Sequence, residues 1–570
     1  MQGWLIRLSL VVLSSLQPIH AFGFVAFPAV GRRGMVVTNQ VLASEVGVEA
    51  LRQGANAIDA AIAVAFALAV VEPSAGNIGG GGFMLIRTAD GSVNSIDYRE
   101  RAPLLTHAKS YLDVQGVLPN DANHLGYKAV ATPGTVAGLA LAHRLYGSKP
   151  WAQLIAPAIR LARQGFRVSP AFADDLAHYA NELQKYPSSK GVFLKSTGEP
   201  YQPDDLFRQT DLANTLDRLA RQGVNGFYRG KTAQLMIQAM IANSGWLREN
   251  DLTSYQPMVR MPTRGTYRGY TIYSIPPPSS GGVTLQLMLN MLEAENLSKL
   301  GPNSAAYIHR LVETMRRAFA LRAHYLGDPE QVSGMPLSTL LSKPFASRLI
   351  RDIRSRKATR SHPDDVPWHA EPMETTHFSI VDRLGNAVSN TYTIEQHYGS
   401  KIVVPGAGFL LNNEMGDFNP VPNLTTTSGQ IGSSPNLIGP GKRPLSSMTP
   451  TIVTYQDRLF LVLGSPGGRT IINTVLETLL NIIDFQMPLP EAVAAPRFHH
   501  QWLPDEIVME PYGFSPDTTD KLKQMGHRIT FLSPDSPMQG RVMAIQIDPN
   551  TRKRLGFADL RGADSKAVGY

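Results

Sequence analysis

The chain has 570 residues, a formal net charge of +8 and no cysteine; 43% of its residues are hydrophobic and 18% charged, which is globular composition at a length for two domains or one large intertwined one. Without cysteine there are no disulfides, no thiolate catalysis and no cysteine-ligated zinc or iron–sulfur centre. The basic excess lies upstream of residue 375 in scattered arginines without interleaved aromatics, so it reads as solvated surface and not as a nucleic-acid face.

At the start, Arg7 precedes the apolar run from Leu8 to Leu16, then Pro18 and the small residue Ala21. This pattern predicts a secretory leader over residues 1–21 and a periplasmic or secreted protein. The run is short of the ~20 apolar residues that cross a bilayer. The best later candidate, Ala57 to Val71, carries Asp59 and stops at Pro73, so no stable membrane span is expected.

Helical spacing of apolar residues predicts a helix from Val41 to Gly54. Asn56 to Val71 reads as a second helix, apolar all round and therefore buried on every side. The glycine run from Gly76 to Gly82 then meets a strand from Phe83 to Arg87. No Gly-Lys-Ser/Thr follows, so the run reads as close backbone approach and not as a phosphate loop. A strand from Ser92 to Tyr98 leads into helices at Thr132–Tyr146, Trp151–Gly165, Ala171–Leu183, Thr210–Gly223, Lys231–Asn243 and Ala305–His324. One strand is expected from Tyr267 to Ile275, stopped by Pro276-Pro277-Pro278, with Gly281-Gly282 opening a helix.

The polar, proline-bearing stretch from Ser355 to Glu374 has loop composition. Beyond it the texture changes. Strands are expected at Phe378–Asp382, Ala387–Thr393, Gly408–Asn412, Thr451–Tyr455, Leu459–Gly464 and near Arg541–Ile547, with a helix from Arg469 to Phe485. Strands with long helices predict an α+β fold in which helices sandwich sheets, not a doubly wound nucleotide fold.

Thr375 sits where an accessible loop meets a strand. Cleavage of the Glu374–Thr375 bond would make it a chain terminus, with a nucleophilic hydroxyl and a free amine on one residue. Such a nucleophile needs backbone N–H donors for the developing oxyanion, and a helix N-terminus supplies them. Gly467 and Gly468, between the Leu459–Gly464 strand and the helix from Arg469, are positioned for this, although an ordinary strand–helix turn reads the same. Gly464-Ser465-Pro466-Gly467 breaks the Gly-x-Ser-x-Gly hydrolase elbow. His499-His500 lacks acidic or histidine partners at ligand spacing and reads as structural, as does His377.

Thr375-Thr376-His377, Pro444 to Pro450 and Gly464 to Gly468 together resemble the bacterial γ-glutamyltranspeptidase (glutathione hydrolase) family. So do Asp97 to Glu100, Pro276 to Gly282 and Tyr325 to Pro329, and the similarity runs in order from about Gly34 to Tyr570. The resemblance implies an N-terminal-nucleophile hydrolase fold, an αββα sandwich formed jointly by a large subunit (residues 22–374) and a small one (residues 375–570) that self-cleavage leaves as a heterodimer. It implies a Thr375 γ-glutamyl ester that passes to water or to an amino-acid or peptide amine, with glutathione and related small molecules as donors. Thr393 matches the threonine that supports the nucleophile. Arg99, Ser446 and Ser447 match the residues for the donor carboxylate, and Glu414 and Asp417 those for its ammonium. No cofactor and no metal are implied.

Two positions depart from many members. Glu395 stands where Asn is common; a third acid there would either strengthen ammonium binding or shift selectivity towards other acyl donors. The segment from Asn419 to Asn436 has the length of a lid without an aromatic residue, which implies a looser gate. The alternatives are a glutaryl-type (cephalosporin-like) acylase on the same fold, or a binding homologue that never matures.

Overall fold

The computed structural model describes residues 26–362, 375–533 and 539–570. The leader read at residues 1–21, Glu374 and most of the loop before it lie outside the described residues.

Two seven-stranded antiparallel sheets form the centre. In the first, Thr376–Val381 and Ala387–Thr393 are a hairpin flanked by Met35–Thr38 on one side and Gly81–Arg87 on the other. In the second, Thr451–Tyr455 and Arg458–Gly464 form a hairpin between Tyr270–Ser274 and Met543–Ile547. The sheets face each other through an apolar layer that includes Val37, Phe83, Val381, Ile452, Val462 and Ile545. Helices cover both outer faces, so the layers run α, β, β, α. Each sheet takes strands from both sides of residue 375: Met35–Thr38 pairs with Thr376–Val381, and Tyr270–Ser274 with Thr451–Tyr455. The chain is one intertwined body.

The helix Ala57–Val71 has every residue buried, as its lack of a polar face requires. The Asn56 side chain accepts from the Ile58 and Asp59 amides, and the Asp59 carboxylate accepts from the Asn56 amide, which closes a capping box. Ser148 donates its hydroxyl to the same carboxylate, so the one buried charge of this helix is partnered.

The glycine run lies against the hairpin strands. A Cβ on Gly76 would meet the Thr376 methyl at 2.5 Å, and one on Gly80 the Thr393 carbonyl at 1.8 Å. Close backbone approach is therefore what these glycines permit.

Two expected strands differ. Tyr267–Ile275 is a hairpin, Thr263–Tyr267 with Tyr270–Ser274, because Arg268 and Gly269 both take positive φ and reverse the chain. Gly408–Asn412 is not a strand. Gly406 and Gly408, at φ of 70° and 78°, coil the segment back on residues 400–404, where the Leu411 amide donates to the Ile402 carbonyl and Val403 and Leu410 form an isolated bridge.

Candidate active site

Residue 375 precedes the strand Thr376–Val381, whose register with Ala387–Thr393 pairs Thr376 with Tyr392. One further step brings Thr375 opposite Thr393, at the open end of the hairpin. Thr376 anchors this end: its hydroxyl donates to Glu72 at 2.8 Å, and Asn39 donates to the same carboxylate at 3.1 Å. The Thr393 hydroxyl oxygen accepts from the Glu395 amide at 2.8 Å.

A small cavity of ≈ 20 Å³ opens at this point, lined by Thr375, Thr393, Arg99, Glu395, Glu414, Asp417, Ser446, Ser447 and Gly468. Of the ten residues singled out in the sequence, nine meet here. Gly467 does not line the cavity and sits one residue back in the turn. Both glycines have positive φ, 126° and 54°, and Thr470 caps the turn by donating its hydroxyl to the Gly467 carbonyl at 2.7 Å. Among the described residues neither the Gly467 nor the Gly468 amide donates a hydrogen bond to the protein.

The charges are strongly coupled. Arg99 is buried and ion-pairs with Glu414, Asp417 and the adjacent Glu100, while its Nε donates to the Pro444 carbonyl. Burial works against its charge, and the three carboxylates more than offset it. Burial pushes Glu100 up to about 7 and Glu414 up to about 8, against the pull of Arg99. Burial likewise pushes Glu395 well above the usual carboxylate range, with Asp417 and Glu414 adding to the effect. Glu100 lies in the Asp97–Glu100 motif, and its sequence position beside Arg99 is the signal that marks it.

The loop carrying Ser446 and Ser447 is buttressed by the proline-rich segment. Ser446 donates its amide to the Pro278 carbonyl at 2.9 Å, and the Ser280 amide and hydroxyl both donate to the Ser446 carbonyl. Arg322 donates to the Ser280 and Ser447 hydroxyls at 2.6 and 2.8 Å. Ser280 was legible within Pro276 to Gly282; Arg322, inside a long helix, carried no signal. Across the mouth, Asn436 ties the base of the Asn419–Asn436 loop, donating to the Asp417 carbonyl at 2.6 Å and accepting from the Leu445 amide at 2.9 Å.

His377 lies outside this chemistry. It is buried between the sheets, bonded to Thr391 at 2.8 Å and Ser379 at 3.2 Å, and burial drops it to about 3. His499 and His500 are also buried, with partners in Asn473, Gln501 and Asp505. Among the described residues one group has metal-ligand proximity, His309, Glu313 and His527. It shares no residue with the cavity and satisfies itself: His309 meets His527 at 2.8 Å and the Arg354 carbonyl at 2.7 Å, and Glu313 holds Thr359 and Arg317.

A family model described as Gamma-glutamyltranspeptidase matches residues 43–569. The glutathione hydrolase proenzyme of Pseudomonas sp. (strain A14) is 45% identical over 503 residues, 88% of this chain and 87% of that one. The glutathione hydrolase proenzyme of Escherichia coli (strain K12) is 42% identical over 547 residues, covering 95% and 93%. The solved cephalosporin acylase from Bacillus halodurans superposes with a TM-score of 0.84 at 27% identity, over 97% of this chain and 99% of that one.

Proposed function

We propose that this chain, which belongs to the gamma-glutamyltranspeptidase family and is a self-processing γ-glutamyl hydrolase and transferase of N-terminal-nucleophile fold, performs both its maturation and its turnover with Thr375. In maturation the Thr375 hydroxyl attacks the carbonyl of residue 374. The peptide nitrogen leaves, and the resulting ester is opened by water, which frees the Thr375 amine and ends the upstream piece at residue 374. The pieces are residues 22–374 and 375–570. They stay together as a heterodimer because each sheet is woven from both.

In turnover the freed amine, with an ordinary pKa of about 7.7–8.0, takes the proton from the Thr375 hydroxyl. The hydroxyl oxygen adds to the γ-carbonyl of the donor, and the Gly467 and Gly468 amides face the negative oxygen. The leaving amine departs with a proton, and a γ-glutamyl ester remains on Thr375. Water, or the amine of an amino acid or peptide, then attacks that ester. Thr393 donates its hydroxyl proton toward the nucleophile and holds it in line.

One observation carries this reading. The cavity beside Thr375 places a guanidinium and two serines next to three carboxyls, Glu395, Glu414 and Asp417. A γ-glutamyl donor presents one α-carboxylate and one α-ammonium, and this is its charge complement. The names of the relatives bring glutathione to this chain as the donor to test first. The leader pattern supports action in the periplasm or outside the cell; no described helix is long and apolar enough to cross a membrane.

The acylase reading is favoured by the superposition on cephalosporin acylase. Glutaryl donors lack the ammonium, so they offer the pocket's carboxyls no cation in place of the Arg99 contacts that a bound donor carboxylate would draw away. Comparing γ-glutamyl- with glutaryl-p-nitroanilide decides. The γ-glutamyl compound is expected to react with kcat/KM at least about 100-fold higher, the worth of one buried charge pair. Equal values would overturn the reading.

A further inference from the structure

Beside the cavity, two buried polar atoms face each other without partners. His124 Nε2 lies 3.6 Å from Glu395 Oε1, and among the described residues neither makes a hydrogen bond. The other ring nitrogen, Nδ1, is 2.8 Å from Asp121 Oδ1. Unpaired buried polar atoms are costly, and two of them aimed at one another point to a function.

Elementary valence completes the picture. A carboxylate only accepts, so the Nδ1 proton is donated to Asp121 and the imidazole presents its Nε2 lone pair to Glu395. Lone pair and carboxylate oxygen repel unless one proton lies between them. Backbone geometry enforces the encounter. Glu395 is held at φ 82°, a left-handed conformation that a glutamate keeps only when its surroundings demand it. His124 reaches it across Gly416, where a Cβ would sit 2.1 Å from the imidazole ring. The three side chains run from the surface inward: Asp121 is 62% exposed, His124 9% and Glu395 2%.

We propose that His124 is a positioning residue for the donor ammonium, sharing one proton with Glu395 and taking it fully when the ammonium binds. This rests on the reading of the cavity as the γ-glutamyl donor site. On binding, the ammonium donates to Glu395, the Glu395 proton moves to His124 Nε2, and Asp121 balances the imidazolium. No other bond changes. The charged groups that face Glu395 are Asp417, Glu414, Lys401 and Arg99, and two of these four are acids. A carboxylate among acids needs such an outlet for its proton before it can meet a cation. Burial, Asp417 and Glu414 all favour the protonated form, which agrees with a proton stored here.

Two measurements on the matured heterodimer test this. In the first, His124→Gln and Glu395→Gln are made singly and together, and KM is measured for γ-glutamyl- and glutaryl-p-nitroanilide. His124→Gln is expected to raise KM for the γ-glutamyl donor about tenfold, the worth of one charge-assisted hydrogen bond, and to change that for the glutaryl donor less than about twofold. In the Glu395→Gln background His124→Gln is expected to add nothing further. Independent, multiplying effects, or equal effects on both donors, would overturn the proposal.

The second measurement needs no substrate. The imidazole nitrogen signals lost in His124→Gln identify His124 in a nitrogen NMR spectrum. Glu395→Gln is expected to move the Nε2 signal and leave Nδ1 protonated. An unmoved Nε2 signal would refute the shared proton even if neither donor turns over, whereas a moved signal without γ-glutamyl turnover would refute only the donor-site reading.

Discussion

The Arg99 guanidinium pairs with Glu414 inside the cavity, so the cation expected to hold a substrate carboxylate sits against an anion expected to hold its ammonium. A bound zwitterion would exchange these contacts for its own, ion pair for ion pair. The net gain is then the difference between two good arrangements, and geometry matters more than charge. Arg99→Lys keeps the charge and loses the planar fork. It is expected to lower kcat/KM for γ-glutamyl-p-nitroanilide about 10- to 100-fold, mainly through KM, as steady-state kinetics would show.

Donor binding should improve as pH rises. Burial raises Glu100 to about 7 and Glu414 to about 8, so both are protonated at lower pH and ionise as pH climbs through that window. Only the ionised forms attract an ammonium. KM for the γ-glutamyl donor is expected to fall between about pH 6 and about pH 8.5, and Glu414→Gln to flatten that fall. The Thr375 amine titrates in the same range, but its loss of a proton governs kcat. Measuring KM and kcat separately against pH distinguishes the two.

Stability should decline on acidification for a reason unconnected with catalysis. Burial lowers His377, His499 and His527 to about 3 and His500 to about 4, all from an ordinary 6.5. The unfolded chain takes up these protons near 6.5 while the folded one refuses them. The stability is therefore fully present above about 6.5 and is lost as pH falls toward 3 (toward 4 for His500), at about 1.4 kcal/mol per pH unit for each histidine. Thermal midpoints measured from neutral pH down to about 5 are expected to drop steadily; a flat profile would contradict the burial of these rings.

Asn436 joins the base of the Asn419–Asn436 loop to both walls of the cavity, through the Asp417 carbonyl and the Leu445 amide. Asn436→Ala leaves both groups without that partner. It is expected to cost about 1–3 kcal/mol in denaturant unfolding and to raise KM for the donor, because Asp417 and the Ser446–Ser447 loop lose a common brace.

Much of this was legible beforehand, for physical reasons that differ by residue. The strand Ala387–Thr393 and the helix from Thr470 follow from periodicity and turn residues, and the all-buried helix Ala57–Val71 from its lack of any polar face. The hairpin at Arg268-Gly269 and the coil at Gly406–Gly408 were missed because positive φ at those residues, not hydrophobic pattern, decides the path. Arg99, Glu414 and Ser446 could be named only through motif resemblance, since a lone arginine or glutamate looks like surface. Arg322, Asn436 and His124 reach the cavity residues Ser447, Asp417 and Glu395 from other segments, and nothing local in the sequence marks such encounters.

The central claim is that Thr375 makes itself a chain terminus. The direct measurement is a denaturing gel with N-terminal sequencing of the purified protein and of Thr375→Ala. The parent chain is expected to yield pieces of roughly 38 and 21 kDa, scaled from residue count, the smaller beginning Thr-Thr-His, while Thr375→Ala remains a single band. An uncut parent chain, or a Thr375→Ala variant that still cleaves at the same bond, would contradict it.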